Sequence, residues 1–240
     1  MFNGLAARMG FGAAKIDAIL NDDNIEQCGT VSGVIKIVGG NASQHIEAVD
    51  IHLMTLVKSE IDDKPIYSSF PIEKFSVPLN ETINSGEEME FPFEFPLHLE
   101  TPVTALNISN NKCQVWLQTS LDIDNAIDPT DKDTINVYPH PTIAAILNTI
   151  AANGGYMQKA DVEKGTLTGN GFKSTAGFYQ EFEFKINGRE VELSFIFEGD
   201  MVHCLIEKDR FIGGDSYTSV SLPVNASNEN VYEFVLNYVF

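Results

Sequence analysis

The sequence predicts a mainly β protein made of two β-sandwich domains joined by a short helix. Runs of alternating apolar and polar residues recur at intervals of about 8–12 residues, separated by Gly, Pro and Asn. One segment, PTIAAILNTIAA, instead repeats its apolar residues at helical spacing between two such regions. Strands and helices do not alternate in the manner of a nucleotide-binding fold.

Taken in order, Met1 to Ala14 places Phe2, Leu5 and Met9 near one helical face, with Arg8 and the adjoining Lys15 as its cations. A membrane-surface helix needs a richer basic face, so the segment reads as a docked or frayed terminus and argues against membrane contact. Its apolar pieces are short and lack a cleavage-type end, unlike a secretory signal. VSGVIKIVGG sets Val31, Gly33, Ile35 and Ile37 against Ser32, Val34 and Lys36 before a Gly-Gly turn. HIEAVDIHLMTLV puts Ile46, Ala48, Asp50 and His52 on one side and Val49, Ile51, Leu53 and Thr55 on the other. EMEFPFEFPL gathers Met89, Phe91, Phe93 and Phe95 on one face and Glu90, Pro92, Glu94 and Pro96 on the other. A prolyl nitrogen cannot donate to a ladder, which assigns this strand to a sheet edge. From Val115, Val115, Leu117 and Thr119 alternate with Trp116, Gln118 and Ser120; a turn rich in Asp, Asn and Pro follows, then an extended run from Thr134 to Tyr138. Phe91, Phe93, Phe95 and Trp116 are the expected aromatic core of this half.

Pro141 suits the first turn of a helix, Ile143, Ile146, Leu147 and Ile150 form its apolar stripe, and Asn153, Gly154 and Gly155 end it. The expected domains are therefore 1–139, a linker helix at 140–155, and 156–240. Strands resume after Gly165: Phe178, Gln180, Phe182 and Phe184 share one register, Asn187-Gly188 turns the chain, and Val191, Leu193, Phe195 and Phe197 return. An Asn-Gly pair between alternating runs is a strong hairpin signal. The tail NENVYEFVLNYVF predicts a helix capped near Ser227 and apolar almost all round. Such a helix is buried in the fold, the favoured reading, or against a second copy in a homodimer through the C-terminal segment.

The 34 acidic and 15 basic side chains give a formal net charge of -19 over 240 residues, without a block of like charge. That field repels phosphate backbones and excludes nucleic acid as a natural partner; a basic protein surface suits it better. Cys28, Cys113 and Cys204 show neither CxxC nor Cys/His ligand spacing, which fits buried thiols in a reducing cytoplasm.

Four segments resemble the bacterial sporulation-control protein family: GAAKIDAIL (Gly12 to Leu20), VSGVIKIVGGNASQHIEAVDIHLMT (Val31 to Thr55), GEEMEFPFEFPLHLETPVT (Gly86 to Thr104), and the joint from Val115 to Pro141. QEFEFKI (Gln180 to Ile186) and IEKDRF (Ile206 to Phe211) are similar to its shorter C-terminal motifs, and the chain departs from the family after Phe211. The resemblance implies an arrestin-like first sandwich and a regulator that works by binding rather than by chemistry. It also raises an arrestin-type basal lock, with Asp122 or Asp128 paired to Arg189 or Arg210.

Among candidate sites, Asp122, Asp124, Asp128, Asp131 and Asp133 offer one loop several oxygens, which is what a hard cation needs. The spacing is not that of an EF-hand, and turn and cap roles, notably ahead of Pro129, account for the same residues. His45, His52, His98, His140 and His203 are dispersed, without an HExxH motif or nucleophile elbow. Glu87, Glu88, Glu90 and Glu94 are the candidate acidic contacts for a basic partner. The expected function is thus a non-enzymatic, cofactor-free scaffold or regulator that binds protein through a sheet edge or interdomain cleft. A metal- or carbohydrate-binding β module using the Asp-rich loop is the alternative.

Overall fold

The computed structural model describes residues 12–62, 64–123, 130–209 and 216–240. Their strands are β1 (Lys15–Leu20), β2 (Asn24–Glu26), β3 (Thr30–Val38), β4 (Gln44–Ile61), β5 (Lys64–Ile83), β6 (Glu88–Pro96), β7 (Val115–Ile123) and β8 (Thr130–Tyr138). After α1 (Pro141–Ala152) come β9 (Tyr156–Lys164), β10 (Phe178–Ile186), β11 (Arg189–Glu198), β12 (Met201–Lys208) and β13 (Ser216–Pro223). Helix α2 (Asn228–Phe234) then runs into a π-helical turn at Val235–Val239. The mainly β class is borne out.

Two sheets form. One has the order β1-β3-β6; the other runs β13-β12-β11-β10-β9-β4-β7-β8-β2, with β5 also paired to β4. The long β4–β5 hairpin spans the molecule: Ile46 to Thr55 of β4 pair with β7, and Lys58 meets Glu163 of β9 in parallel.

The first core lies between the small sheet and the β5-β4-β7-β8-β2 part of the large one. Ile16, Ile35, Phe93 and Phe95 face Ile51, Leu53, Leu117 and Ile135 across it. Two expectations need correction here. Ile46 does not share a side with Asp50 and His52; it is buried with Val49, because a bulge between Ile46 and Ala48 shifts the alternation by one residue. Trp116 is buried at 3% exposure, yet it projects from the opposite face of β7 to Val115 and Leu117, and Lys132 Nζ lies 3.9 Å from its ring centroid. A cation over the indole face thus covers it, outside the sandwich core. Phe91 is half-buried at the rim of that core.

The second core is closed differently from the expected second sandwich. β9 to β13 present Phe178, Phe182, Phe184, Leu193 and Ile206 on one face, and helices rather than another sheet cover it. Ile143, Ile146, Leu147 and Ile150 of α1 join Val231, Phe234, Val235 and Val239. The apolar stripe of α1, expected to serve a linker, is a wall of this core. His140 caps α1, its Nδ1 accepting from Thr142 N at 3.3 Å, with Pro141 in the first turn as read from sequence. Ser227 likewise caps α2, its Oγ accepting from Asn230 N. Tyr232, Leu236 and Tyr238 remain exposed on the terminal helix, so its burial is one-sided. At the hairpin, Asn187 and Gly188 both take positive φ, as a tight two-residue turn requires.

Candidate functional site: a carboxylate ladder beside the junction

The face of β9–β12 turned away from the helices is lined with charge. Because side chains alternate, the residues that send Val162, Phe182, Val191 and Ile206 inward send Asp161, Glu163, Glu181, Glu183, Glu190, Glu192 and Glu207 outward. The register then opposes like charges: Glu181 to Asp161, Glu183 to Glu192, and Glu192 to Glu207. Like charges directly opposite each other destabilise a ladder.

Three lysines offset part of this. Lys159 Nζ lies 2.9 Å from Asp161 Oδ2 and 3.5 Å from Glu183 Oε2. Lys58, reaching over from β4, donates to Glu163 Oε1 at 2.6 Å and stands 3.7 Å from Asp161 Oδ2. Lys185 is 3.9 Å from Glu190. Asp161 is almost wholly buried, and its Oδ2 is met by these two ammonium groups rather than by an aligned hydrogen bond. Gln158 Nε2 donates to both Glu183 and Glu190.

The remaining excess of negative charge appears in the proton affinities. Burial, followed by Glu192, Glu163 and Asp161, pushes Glu181 up to about 8. Burial and then Glu207, Glu183 and Glu190 push Glu192 up to about 7. Lys159 is held well above the ordinary lysine value by Asp161 and Glu183, against the opposing effect of its burial. One side-chain oxygen from each of Asp161, Glu163 and Glu181 lies within 4.8 Å of the others, and Glu183, Glu190 and Glu192 form a second such group. Ammonium groups already occupy the first, so the chemistry on display is that of carboxylates taking up Lys-type cations.

The sequence-predicted sites fall elsewhere. Asp124 and Asp128 lie outside the described residues, as do Arg210 and the terminal Phe2, Leu5, Arg8 and Met9. Asp122 is exposed at the end of β7. Asp131 and Asp133 are not solvated turn residues: they continue the inward row of Ile135 and Val137 along β8. Asp131 Oδ2 accepts from the backbone N–H of Ala18 at 3.1 Å, satisfying a donor on the outer side of β1. Burial, then Asp131 and Asp17, pushes Asp133 up to about 7. Of the candidate partner contacts on β6, Glu88 and Glu90 share Lys36 at 3.0 and 3.2 Å. Glu87 Oε2 accepts from Asn84 N at 2.8 Å, and Glu94 is exposed.

Of the expected Asp122 or Asp128 lock with Arg189 or Arg210, Asp128 and Arg210 lie outside the described residues; among the described residues, Lys58 with Asp161 and Glu163 makes an ion-pair contact between the two cores. Two further clasps support it. Gln180 Oε1 accepts from Val103 N at 2.8 Å while its Nε2 donates to Val103 O at 2.7 Å. Glu100 accepts from Thr175 N and Oγ1 and from Ala176 N. Within the helix-covered half, Thr142 Oγ1 donates to Val224 O and ties α1 to the chain after β13. His98, His140 and His203 make local contacts: Nδ1 of His98 accepts from Glu100 N, and His203 stacks on Phe172. Burial raises the pKa of all three thiols.

Sequence reading followed the aromatic register of β10 and β11 and passed over the charged one. The signal was present. A two-residue Asn-Gly turn makes Ile186 face Arg189, and counting back from there sets Glu183 against Glu192.

Among the described residues, no helix is long and apolar enough to cross a membrane. The family model described as SpoOM protein matches residues 2–212, ending one residue past the point where sequence reading placed a departure. The sporulation-control protein spo0M of Bacillus subtilis (strain 168) is 36% identical over 216 residues, which is 87% of this chain and 80% of that protein. The crystal structure of Spo0M from Bacillus subtilis aligns with a TM-score of 0.81 at 30% identity, covering 95% of this chain and 98% of the other.

Proposed function

The chain belongs to the SpoOM protein family, and from that premise we propose that it is a regulator of sporulation or cell state that works by holding a protein partner, not by catalysis. The carboxylate ladder is the observation that carries this reading. Glu181 and Glu192 stand half-buried opposite other carboxylates, with fewer lysines than acids around them. A basic segment of a partner protein supplies the missing cations and relieves the repulsion, and a negative chain draws such a partner in. The two cores are read as two domains, 1–139 with an arrestin-like sandwich and 156–240, meeting at 140–155. A reducing cytoplasm suits the three free thiols.

The test is capture from native lysate with the wild-type chain and with Glu181→Gln/Glu192→Gln. Wild type is expected to retain a basic protein that the double variant loses. Its association rate should fall as salt rises while dissociation changes little, because exposed charges are screened within about 8 Å at physiological ionic strength. Equal retention by the variant, or an association rate indifferent to salt, removes the ladder from the proposal.

A further inference from the structure

Where the end of the small sheet, β5 and the second core meet, the chain leaves a cleft of about 360 Å³. That is the low end of the roughly 300–1,000 Å³ of ligand pockets. Pro96, Leu97, Leu99 and Phe197 give it apolar walls, and Glu73 and Glu100 bring carboxylates to the same space. Neither lysine nor arginine is among the described residues that line it. Leu99 is 47% exposed, a large apolar side chain left uncovered.

Glu73 stands in an inward row. The ladder with β4 sets Val77 opposite Val49, Phe75 opposite Ile51 and Glu73 opposite Leu53, so all three share the side that faces the first core. Phe75 uses that position to stack on Phe95, with ring centroids 3.8 Å apart. Beside Glu73 the register slips between Leu53 and Met54, leaving Ile72 as an extra residue that packs against both cores. Glu73 is thus half-buried at the end of an apolar row, and among the described residues its carboxylate makes no hydrogen bond or ion pair. Glu100 is fixed: its Oε1 accepts from Thr175 N at 2.7 Å and from Thr175 Oγ1 at 2.6 Å. Its Oε2 has one longer contact, 3.3 Å from Ala176 N, and can accept again.

We propose that this cleft takes an arginine side chain of a partner protein, its methylenes against Leu97, Leu99 and Phe197 and its guanidinium on Glu73 and the open side of Glu100. Charge complementarity selects that occupant. A purely apolar side chain would cover Glu73 without giving it a partner, and a carboxylate stripped of water and left unpaired is costly. A cation removes that cost, and the net charge of -19 favours its approach. Guanidinium suits the cleft better than ammonium: it is more weakly hydrated, packs against aromatic rings and presents five donors to two carboxylates. The inference rests on the proposed protein partner for the source of the arginine, but not on the carboxylate ladder.

Nuclear magnetic resonance titration of the full chain with the blocked peptide acetyl-Gly-Arg-Gly-amide, up to millimolar concentration, tests it. Saturable shifts are expected at Leu97, Leu99 and Phe197. Lysine in place of arginine should bind more weakly, and citrulline, which keeps the shape and lacks the charge, should not bind. Glu73→Gln should weaken binding about tenfold, the effect of one charge-assisted hydrogen bond, with an unchanged circular dichroism spectrum. Should that variant fail to fold, Leu99→Ala, at an exposed position, decides and should weaken binding as well. Glu181→Gln/Glu192→Gln should bind the peptide like wild type, so failure of the ladder and failure of the cleft are told apart. Absence of shifts at the cleft, or full affinity in Glu73→Gln, overturns the proposal. Free arginine binding as tightly as the peptide overturns it too, since the ligand would then be a small molecule.

Discussion

Glu181 stands opposite Asp161 near a second row of carboxylates, and its proton affinity links this charge arrangement to stability. An unperturbed Glu titrates at about 4.3. In the folded chain Glu181 is raised to about 8 and Glu192 to about 7, so the folded state holds more protons than the unfolded one between those values. The stability tied to these protons is complete below the unfolded pKa and is lost as pH rises through the folded one. The thermal midpoint should therefore fall between about pH 6 and about pH 8. Glu181→Gln, neutral throughout, should flatten that slope and raise the midpoint at the alkaline end. Asp133, pushed up to about 7 in the first half, contributes with the same sign and leaves a residual slope. A midpoint in Glu181→Gln that tracks wild type at every pH would show that Glu181 is not the group concerned. The Glu183–Glu192 opposition was readable in advance from the Asn187-Gly188 turn. The approach of Lys58 was not, because nothing local links β4 to a strand about a hundred residues later.

At the scale of elements, the pairing of β3 with β6 shows how a glycine and an aromatic residue serve one sheet. Gly33 faces Phe93 across the ladder, and a Cβ at Gly33 would lie 2.9 Å from the Phe93 ring and 2.4 Å from the Ile19 carbonyl oxygen. The ring thus fills the space that the glycine leaves open. Phe93 is 7% exposed within the first core, whereas Phe91 lies at its rim. Phe93→Ala should cost about 3–5 kcal/mol in chemical denaturation, and Phe91→Ala clearly less. Gly33→Val should destabilise through the clash it creates. Equal losses at Phe91 and Phe93 would contradict this placement. Period-two alternation made β3, β6, β10 and β11 legible in the sequence, and the proline pair correctly put β6 at an edge. Alternation says which residues share a side, but not what covers that side. Trp116, rightly read on the strand face opposite Val115, was therefore assigned to a core it does not join, and α1 was read as a linker helix. Ile46 was misplaced for another reason: a bulge changes the count without leaving a composition signal.

Across the whole molecule, two cores share one sheet, and among the described residues Lys58 makes an ion pair that ties them. Its ammonium group lies between Glu163 of β9 and Asp161, whose side chain is 2% exposed. Without Lys58, Asp161 retains Lys159 but Glu163 loses its closest cation. Lys58 is 16% exposed, so the loss falls between surface and buried limits, about 1–3 kcal/mol. That loss falls on the junction, since the apolar contacts within each core are untouched. Gln180 and Glu100 still clasp the halves, but through the 97–114 segment rather than through β4. Calorimetry should show one cooperative transition for the wild-type chain and a broadened or divided one for Lys58→Met, with the helix-covered half and the sandwich melting apart. Adding Glu163→Gln to Lys58→Met should recover part of the loss, because a neutral amide no longer leaves a charge unpaired. A Lys58→Met chain that melts in a single transition at the wild-type midpoint would mean that coupling between the halves runs through the backbone and the Gln180 and Glu100 clasps. The ion pair at β4 and β9 would then contribute to local solvation alone.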